Sequence, residues 1–180
     1  MRVIAGALKG RRLQAPTWEG LRPTSDKLRE TLFNIIAARI RGARVLDGFA
    51  GTGALGIEAL SRGAAHVTFV EQDRRAQALI ADNLARCGVS DGYVIIRASF
   101  ARAIASLGHA SVDLVLLDPP YGQTPDEPIS AAGPKLAADG VLVLEHARRQ
   151  PAPASAGTLQ RTRQVTSGDS ALSFYVLAGR

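Results

Sequence analysis

The 180-residue chain holds one cysteine, Cys87, only three histidines, and no long apolar run. A lone thiol excludes an intramolecular disulfide and a cysteine-based zinc site, so Cys87, just before Gly88, reads as a small apolar residue at a helix end. His66, His109 and His146 have neither i,i+4 nor Cys-x-x-Cys company, so no metal and no histidine-based catalysis are expected. The apolar run Val3 to Leu8 is closed by Lys9 after six residues, too short for a signal segment or a membrane span. No internal repeat is visible. What remains is a cytoplasmic, monomeric protein without a membrane partner, large enough to bury a central sheet.

Charge is unevenly placed. Residues 1–44 carry ten Lys/Arg against Glu19, Asp26 and Glu30, a net of +7, whereas residues 45–180 carry twelve basic and thirteen acidic side chains, a net of −1. The overall +6 therefore belongs to the N-terminal quarter, as expected when a near-neutral body handles a polyanion gripped partly by a basic leader. A solvated surface would spread its charges, whereas these are mostly arginine and clustered; nucleic acid is the expected partner.

The chemistry is concentrated at one strand tip. The run Val112-Asp113-Leu114-Val115-Leu116-Leu117 ends in Asp118-Pro119-Pro120-Tyr121. The lone pair of an aromatic amine is delocalised into its ring, so a methyl-transfer catalyst must hold both N–H bonds and turn the lone pair toward an electrophile. Asp118 and a carbonyl of the Pro-Pro turn suit those two hydrogen bonds, and Tyr121 suits stacking on a base. By itself such a tetrad is also an ordinary proline-rich strand-to-loop turn.

It has company upstream. Val45-Leu46-Asp47-Gly48-Phe49-Ala50-Gly51-Thr52-Gly53-Ala54-Leu55-Gly56 reads as a buried strand, a glycine turn and a helix start; Gly51, Gly53 and Gly56 fit G-x-G-x-x-G. A second strand, His66 to Val70, ends at Glu71, twenty residues past Gly51, where a carboxylate can accept both ribose hydroxyls of an adenosine cofactor. NAD and S-adenosylmethionine fit equally so far. Asp47, four residues before Gly51, can contact the turn's amides or a cationic amino-acid head group, a position where a dinucleotide needs room for its pyrophosphate. Asp118 to Tyr121 has no part in hydride transfer, so the two motifs together favour S-adenosylmethionine.

The layout follows from the punctuation. Arg2 to Ala5 and Arg11 to Ala15 flank a turn at Lys9-Gly10 and suggest a β-hairpin; a helix is expected from about Asp26 to Arg41, with Leu28, Leu32, Ile36 and Ile40 recurring every four residues. From Arg44 strands and helices alternate: strand to Asp47, helix to Arg62, strand to Glu71, helix to Cys87, then strands at 93–97, 112–118 and 141–145 separated by helices. Such alternation predicts an α/β fold whose mostly parallel sheet is covered on both faces, with ligands at the carboxyl ends of its strands. Pro151 to Gly157 is loop, and Leu159 to Thr166 and Ala171 to Ala178 predict a terminal antiparallel hairpin. The expected organisation is a basic hairpin-plus-helix extension, 1–43, ahead of a cofactor-binding unit, 44–180.

Gly10-Arg11-Arg12-Leu13, Leu21-Arg22-Pro23-Thr24, Arg29 to Asn34, Val45 to Leu60 and Asp118 to Tyr121 together resemble the bacterial 16S rRNA guanine-N2 methyltransferases of the RsmD type, over almost the whole chain. The resemblance implies a Rossmann-like class I methyltransferase fold, S-adenosylmethionine as donor, and as acceptor a guanine in small-subunit rRNA presented in a ribosomal particle. It places Asp47, Phe49, Ala50, Gly51, Gly53, Glu71 and Ser99 in cofactor-binding segments, Asp118, Pro119, Pro120 and Tyr121 in the catalytic tetrad, and Arg22, Thr24 and Arg29 on a leader that closes over the cofactor. With the charge pattern, Lys9, Arg11, Arg12 and Arg29 are the expected RNA contacts. One departure is Arg97-Ala98-Ser99-Phe100, where class I enzymes often carry Asp or Asn for the adenine amine; Ser99 is the available acceptor and Phe100 the available apolar surface. An adenine-N6 or protein-glutamine methyltransferase shares both motifs, although Asn is the commoner head of their tetrad. An NAD-dependent oxidoreductase explains only the glycine turn and Glu71, and a noncatalytic RNA-binding assembly factor leaves Asp118 idle.

Overall fold

A computed structural model describes residues 1–18, 24–120 and 122–179. Its helices are α1 (Asp26–Ile35), α2 (Ala54–Ser61), α3 (Arg74–Arg86), α4 (Phe100–Ser106) and α5 (Asp126–Ala132). Its strands are β1 (Arg44–Asp47), β2 (His66–Glu71), β3 (Tyr93–Arg97), β4 (Val112–Leu117), β5 (Leu136–Ala147), β6 (Ser155–Ala156), β7 (Leu159–Ser167) and β8 (Ser170–Leu177). They form one sheet in the order β3-β2-β1-β4-β5-β8-β7-β6. Pairings from β3 through β5 are parallel, and β8, β7 and β6 add antiparallel at the far edge.

Side-chain alternation along the strands divides the core. Val45, Leu114, Leu116 and Val143 point into the cluster that holds Leu28, Leu32, Ile36 and Ile40 of the leader with Ile57, Ile80 and Leu84. Leu46, Val115, Leu117, Leu142 and Leu144 point the other way, against Phe100, Ala103 and Ile104 of α4 and Ile129 of α5. Carried one residue further, the same alternation turns Asp47, Asp118 and Glu145 toward the leader's face.

The helix expected to run to Arg41 ends at Ile35, and a single 3₁₀ turn at Ala37–Arg39 follows. The apolar stripe survives because that turn still buries Ile36 and Ile40. The expected hairpin is shorter than its sequence suggested: one antiparallel bridge, Arg2 with Arg12, flanked by Val3 N–H to Arg11 C=O and Gly10 N–H to Val3 C=O. It lacks ladder length because it is fastened to α2. The buried Glu58 carboxylate accepts from Ile4 and Ala5 N–H at 2.8 and 3.0 Å, and Ser61 Oγ accepts from Leu8 N–H at 2.9 Å. Asn83 of α3 ties Gln14 to the glycine turn, its Nδ2 donating to the carbonyls of Gln14 and Thr52.

Gly56 has a packing reason. A Cβ there would lie 2.2 Å from Phe69 Cε1 and 2.8 Å from Val67 Cγ1, so α2 rests directly on β2. Gly56→Ala is expected to lower unfolding stability by about 1–3 kcal/mol through overpacking, measurable by urea denaturation.

Candidate active site at the strand tips

The strand order reverses between β1 and β4, which opens a crevice at their carboxyl ends. A cleft of about 780 Å³ lies there. Its wall includes Gly48 to Thr52 after β1, Glu71 at the end of β2 with Gln72 and Asp73 beyond it, Ser99 and Phe100 after β3, Asp118 to Pro120 after β4, Glu145 of β5, and Thr24 of the leader.

The glycine turn is built to bring backbone close to a ligand. Gly51 and Gly53 have φ of 55° and 78°, a region that costs glycine little. Gly53 sits at the N-cap of α2 without a side chain to cap it. Asp47 takes over from the strand below: its Oδ2 accepts from Gly56 N–H at 2.9 Å, the third amide of the helix. Glu71 fixes the turn from the other side, with Oε2 accepting from Gly51 N–H at 2.9 Å and Oε1 from Asp73 N–H at 2.8 Å. These bonds orient the carboxylate at the cleft wall and leave lone-pair capacity for vicinal hydroxyls.

Asp47 is almost wholly buried and does not line the cleft; its hydrogen bond comes from Gly56 N–H in the first turn of α2, beyond the glycine turn where its contact was expected. Burial pushes its carboxyl up to about 7, with the Gly56 amide opposing and the Glu71 charge adding to the rise. A carboxyl whose folded-state pKa exceeds its unfolded value contributes stability that is fully present below the unfolded pKa and is lost as pH rises through the folded one. The loss therefore falls between about pH 4 and about pH 7. Asp47→Asn abolishes this titration, so its melting temperature relative to the parent should climb across that window and level off above it. Melting curves at pH 5 and pH 8 that move in parallel would rule this out.

Phe49 and Phe100 stack with centroids 5.0 Å apart and give the cleft an apolar wall. Ser99 lines the cleft while its Oγ, 3.4 Å from Arg102 N, caps α4. Asp118 and Pro119 are half-buried at the tip of β4. Thr24 reaches them from the leader: its Oγ1 donates to Glu145 Oε2 at 2.8 Å and lies 3.5 Å from Asp118 Oδ2. Arg22 and Tyr121, expected at the cofactor and the base, lie outside the described residues.

One expected contact is corrected. Arg29 is fully buried, so it is out of reach of RNA phosphates. Its Nη2 holds Arg2 C=O and Asp26 Oδ1 under the leader, and burial lowers its pKa. Nε and Nη1 find no hydrogen-bond partner among the described residues. Lys9, Arg11 and Arg12 are exposed. Glu145 was missed by sequence reasoning; the available signal was the one that marked Asp118, an acid ending an apolar strand run. Among the described residues no cluster of three or more His, Cys, Asp or Glu is placed to hold a metal ion, and no helix is long and apolar enough to cross a membrane.

Residues 1–176 match a protein-family profile described as Conserved hypothetical protein 95. The chain belongs to that family. YlbH of Bacillus subtilis is 36% identical over 99% of this chain and 100% of its own length. Ribosomal RNA small subunit methyltransferase D of Haemophilus influenzae is 42% identical over 67% of this chain, a match that takes in 64% of that enzyme. Among solved structures, yhhF of Escherichia coli superposes with a TM-score of 0.86 at 30% identity, covering 98% of this chain and 97% of that one. PH1948 of Pyrococcus horikoshii, provisionally named an RNA methyltransferase and 19% identical, superposes with a TM-score of 0.73 over 95% of this chain and 94% of that one, and shares the fold. The architecture is thus the Rossmann-like class I methyltransferase fold with a C-terminal antiparallel hairpin.

Proposed function

We propose that this protein is a cytoplasmic S-adenosylmethionine-dependent methyltransferase that modifies the exocyclic N2 of a guanine in 16S rRNA, presented in a small-subunit ribosomal particle. The observation that carries the reading is the meeting of Glu71, the glycine turn and Asp118 in one cleft, with the leader's Thr24 at its rim. The coarser part, methyl transfer to rRNA, is supported by the relatives: the Haemophilus influenzae enzyme is named for small-subunit rRNA, and YlbH is provisionally named an rRNA methyltransferase.

The residues present fit the cofactor. Glu71 is oriented for ribose hydroxyls, Gly51 and Gly53 leave room against the backbone, and Phe49 with Phe100 offers an apolar face to an adenine. Ser99 is the candidate partner for the adenine amine, and Arg22 and Thr24 complete the set on the leader. When bound, S-adenosylmethionine supplies an electrophilic methyl group on a sulfonium that is already a good leaving group. The protein's work is then chiefly positioning. Asp118 and the Pro119 carbonyl, with Pro120 shaping the turn, hold the two N2 hydrogens so that the lone pair faces the methyl group. Tyr121 stacks on the base, which is splayed from its RNA stack. The amine proton becomes acidic as the C–N bond forms, and it passes to Asp118 or to water.

The deciding experiment supplies tritiated S-adenosylmethionine and small-subunit particles, then identifies the labelled nucleoside. Label in N2-methylguanosine is expected. Label in N6-methyladenosine or in a protein glutamine would overturn the assignment, and calorimetric binding of NAD as strong as that of S-adenosylmethionine would overturn the cofactor.

A further inference from the structure

The cleft holds a second carboxylate beside Asp118 that the transfer itself does not require. Parallel pairing of β4 with β5 runs through Leu117 opposite Leu144, so one step further Asp118 stands beside Glu145. Adjacent strands lie about 4.8 Å apart. Both side chains fall on the face turned to the leader, and both line the cleft. One hydroxyl, Thr24 Oγ1, lies within 3.5 Å of an oxygen of each and donates to Glu145 at 2.8 Å.

Purines differ along the edge that such a pair would meet. Guanine offers two neighbouring donors, N1–H and the N2 amine. Adenine offers an amine beside N1, which carries a lone pair and no hydrogen. A base drawn into a pocket is read by hydrogen bonds to this Watson–Crick edge. We propose that Glu145 is the base-reading residue of the site: it accepts N1–H of guanine while Asp118 and the Pro119 carbonyl hold the N2 amine, and Thr24 orients its carboxylate. This rests on the guanine-N2 reading above and adds to it the residue that selects the base. An ionised carboxylate only accepts, and it has capacity for more than one donor, so the Thr24 bond is compatible with N1–H. Placed against N1 of a base lacking that hydrogen, it would set two acceptors face to face, each without the donor it had in water. A pocket built to bond a substrate's N–H rejects the analogue that lacks it far more strongly than a shape difference would.

The test uses the full-length protein with small-subunit particles reconstituted from ligated 16S rRNA. The mapped target carries either guanine or 2,6-diaminopurine, which keeps the N2 amine but has no hydrogen on N1. The parent protein should methylate the guanine particle on the order of a hundredfold more efficiently, in kcat/KM, than the diaminopurine particle. Glu145→Gln should narrow that preference to about tenfold or less, because the introduced amide can donate to a bare N1 as well as accept from N1–H. Parent activity on the two particles within about threefold of each other would overturn the proposal, and that comparison needs no variant to fold. So would a Glu145→Gln protein, with S-adenosylmethionine binding intact by calorimetry, that loses activity on both particles by one common factor. That is the pattern of a residue that only fastens the leader through Thr24, because the weaker bond from that hydroxyl to a neutral amide would slow both particles alike. Failure of the guanine-N2 reading is visible separately, as parent label on an atom other than N2 of the guanine.

Discussion

Asp118→Ala should lower methyl transfer by on the order of a hundredfold or more at saturating substrates while leaving the affinity for S-adenosylmethionine near that of the parent. The separation follows from where the carboxylate stands. Asp118 follows directly on β4, on the other side of the sheet's reversal point from Glu71, whose carboxylate is tied to the glycine turn. In the proposed site, removing Asp118 would deprive the acceptor amine of one of its two holders and leave the Glu71 side of the cleft untouched. Single-turnover rates with labelled cofactor, alongside calorimetric titration, check both halves. A variant that binds cofactor poorly yet turns over normally at saturation would assign Asp118 to the cofactor instead.

Much of this site could be read from the chain because its residues are set by local rules. An acid at the end of an apolar strand run, and glycines at the following turn, depend on neighbours within a dozen positions. That is why Asp47, Gly51, Gly53, Glu71 and Asp118 fall where the alternation of strands and helices put them, with Gly51, Glu71 and Asp118 on the cleft wall. Asp47 shows the limit of such reading. Its spacing from Gly51 left it free to contact amides or a ligand, and only the seating of α2 over β1 makes it the cap of that helix.

What Glu145 and Arg29 stand beside depends on tertiary register and was not legible, although the acid closing the apolar run at 145 was visible in the sequence. Glu145 matters because β5 lies parallel to β4 with Leu144 opposite Leu117, and no feature of either strand alone fixes that pairing. Arg29 follows Leu28 on α1 and looks, by charge, like a surface contact for a polyanion. It is buried because the first residues of the chain cross over it, with Arg2 C=O accepting from its guanidinium. The basic leader is therefore two things: an inner layer, fastened to α2 through Glu58 and Ser61 and to α1 through Arg29, and an outer layer of exposed cations.

The outer layer yields the other large effect. Lys9, Arg11 and Arg12 are exposed around a turn whose backbone is held by Val3 and Leu8, so their side chains can change without loosening it. Replacing all three by Glu should weaken binding to the small-subunit particle and flatten its salt dependence, since each lost phosphate contact reduces the log–log slope by roughly 0.7 to 0.9. Three contacts amount to roughly two to three units of slope, which at low salt is a loss of affinity of about a hundredfold or more. Affinity for S-adenosylmethionine should stay near that of the parent, because the cleft is built from the strand tips and these three residues do not line it. Filter binding at several potassium chloride concentrations measures the slope directly. An unchanged slope in the triple variant would show that the turn's charges serve only solubility, and the RNA-binding face would then have to be sought among the arginines nearer the cleft, such as Arg74 and Arg97 beside Gln72.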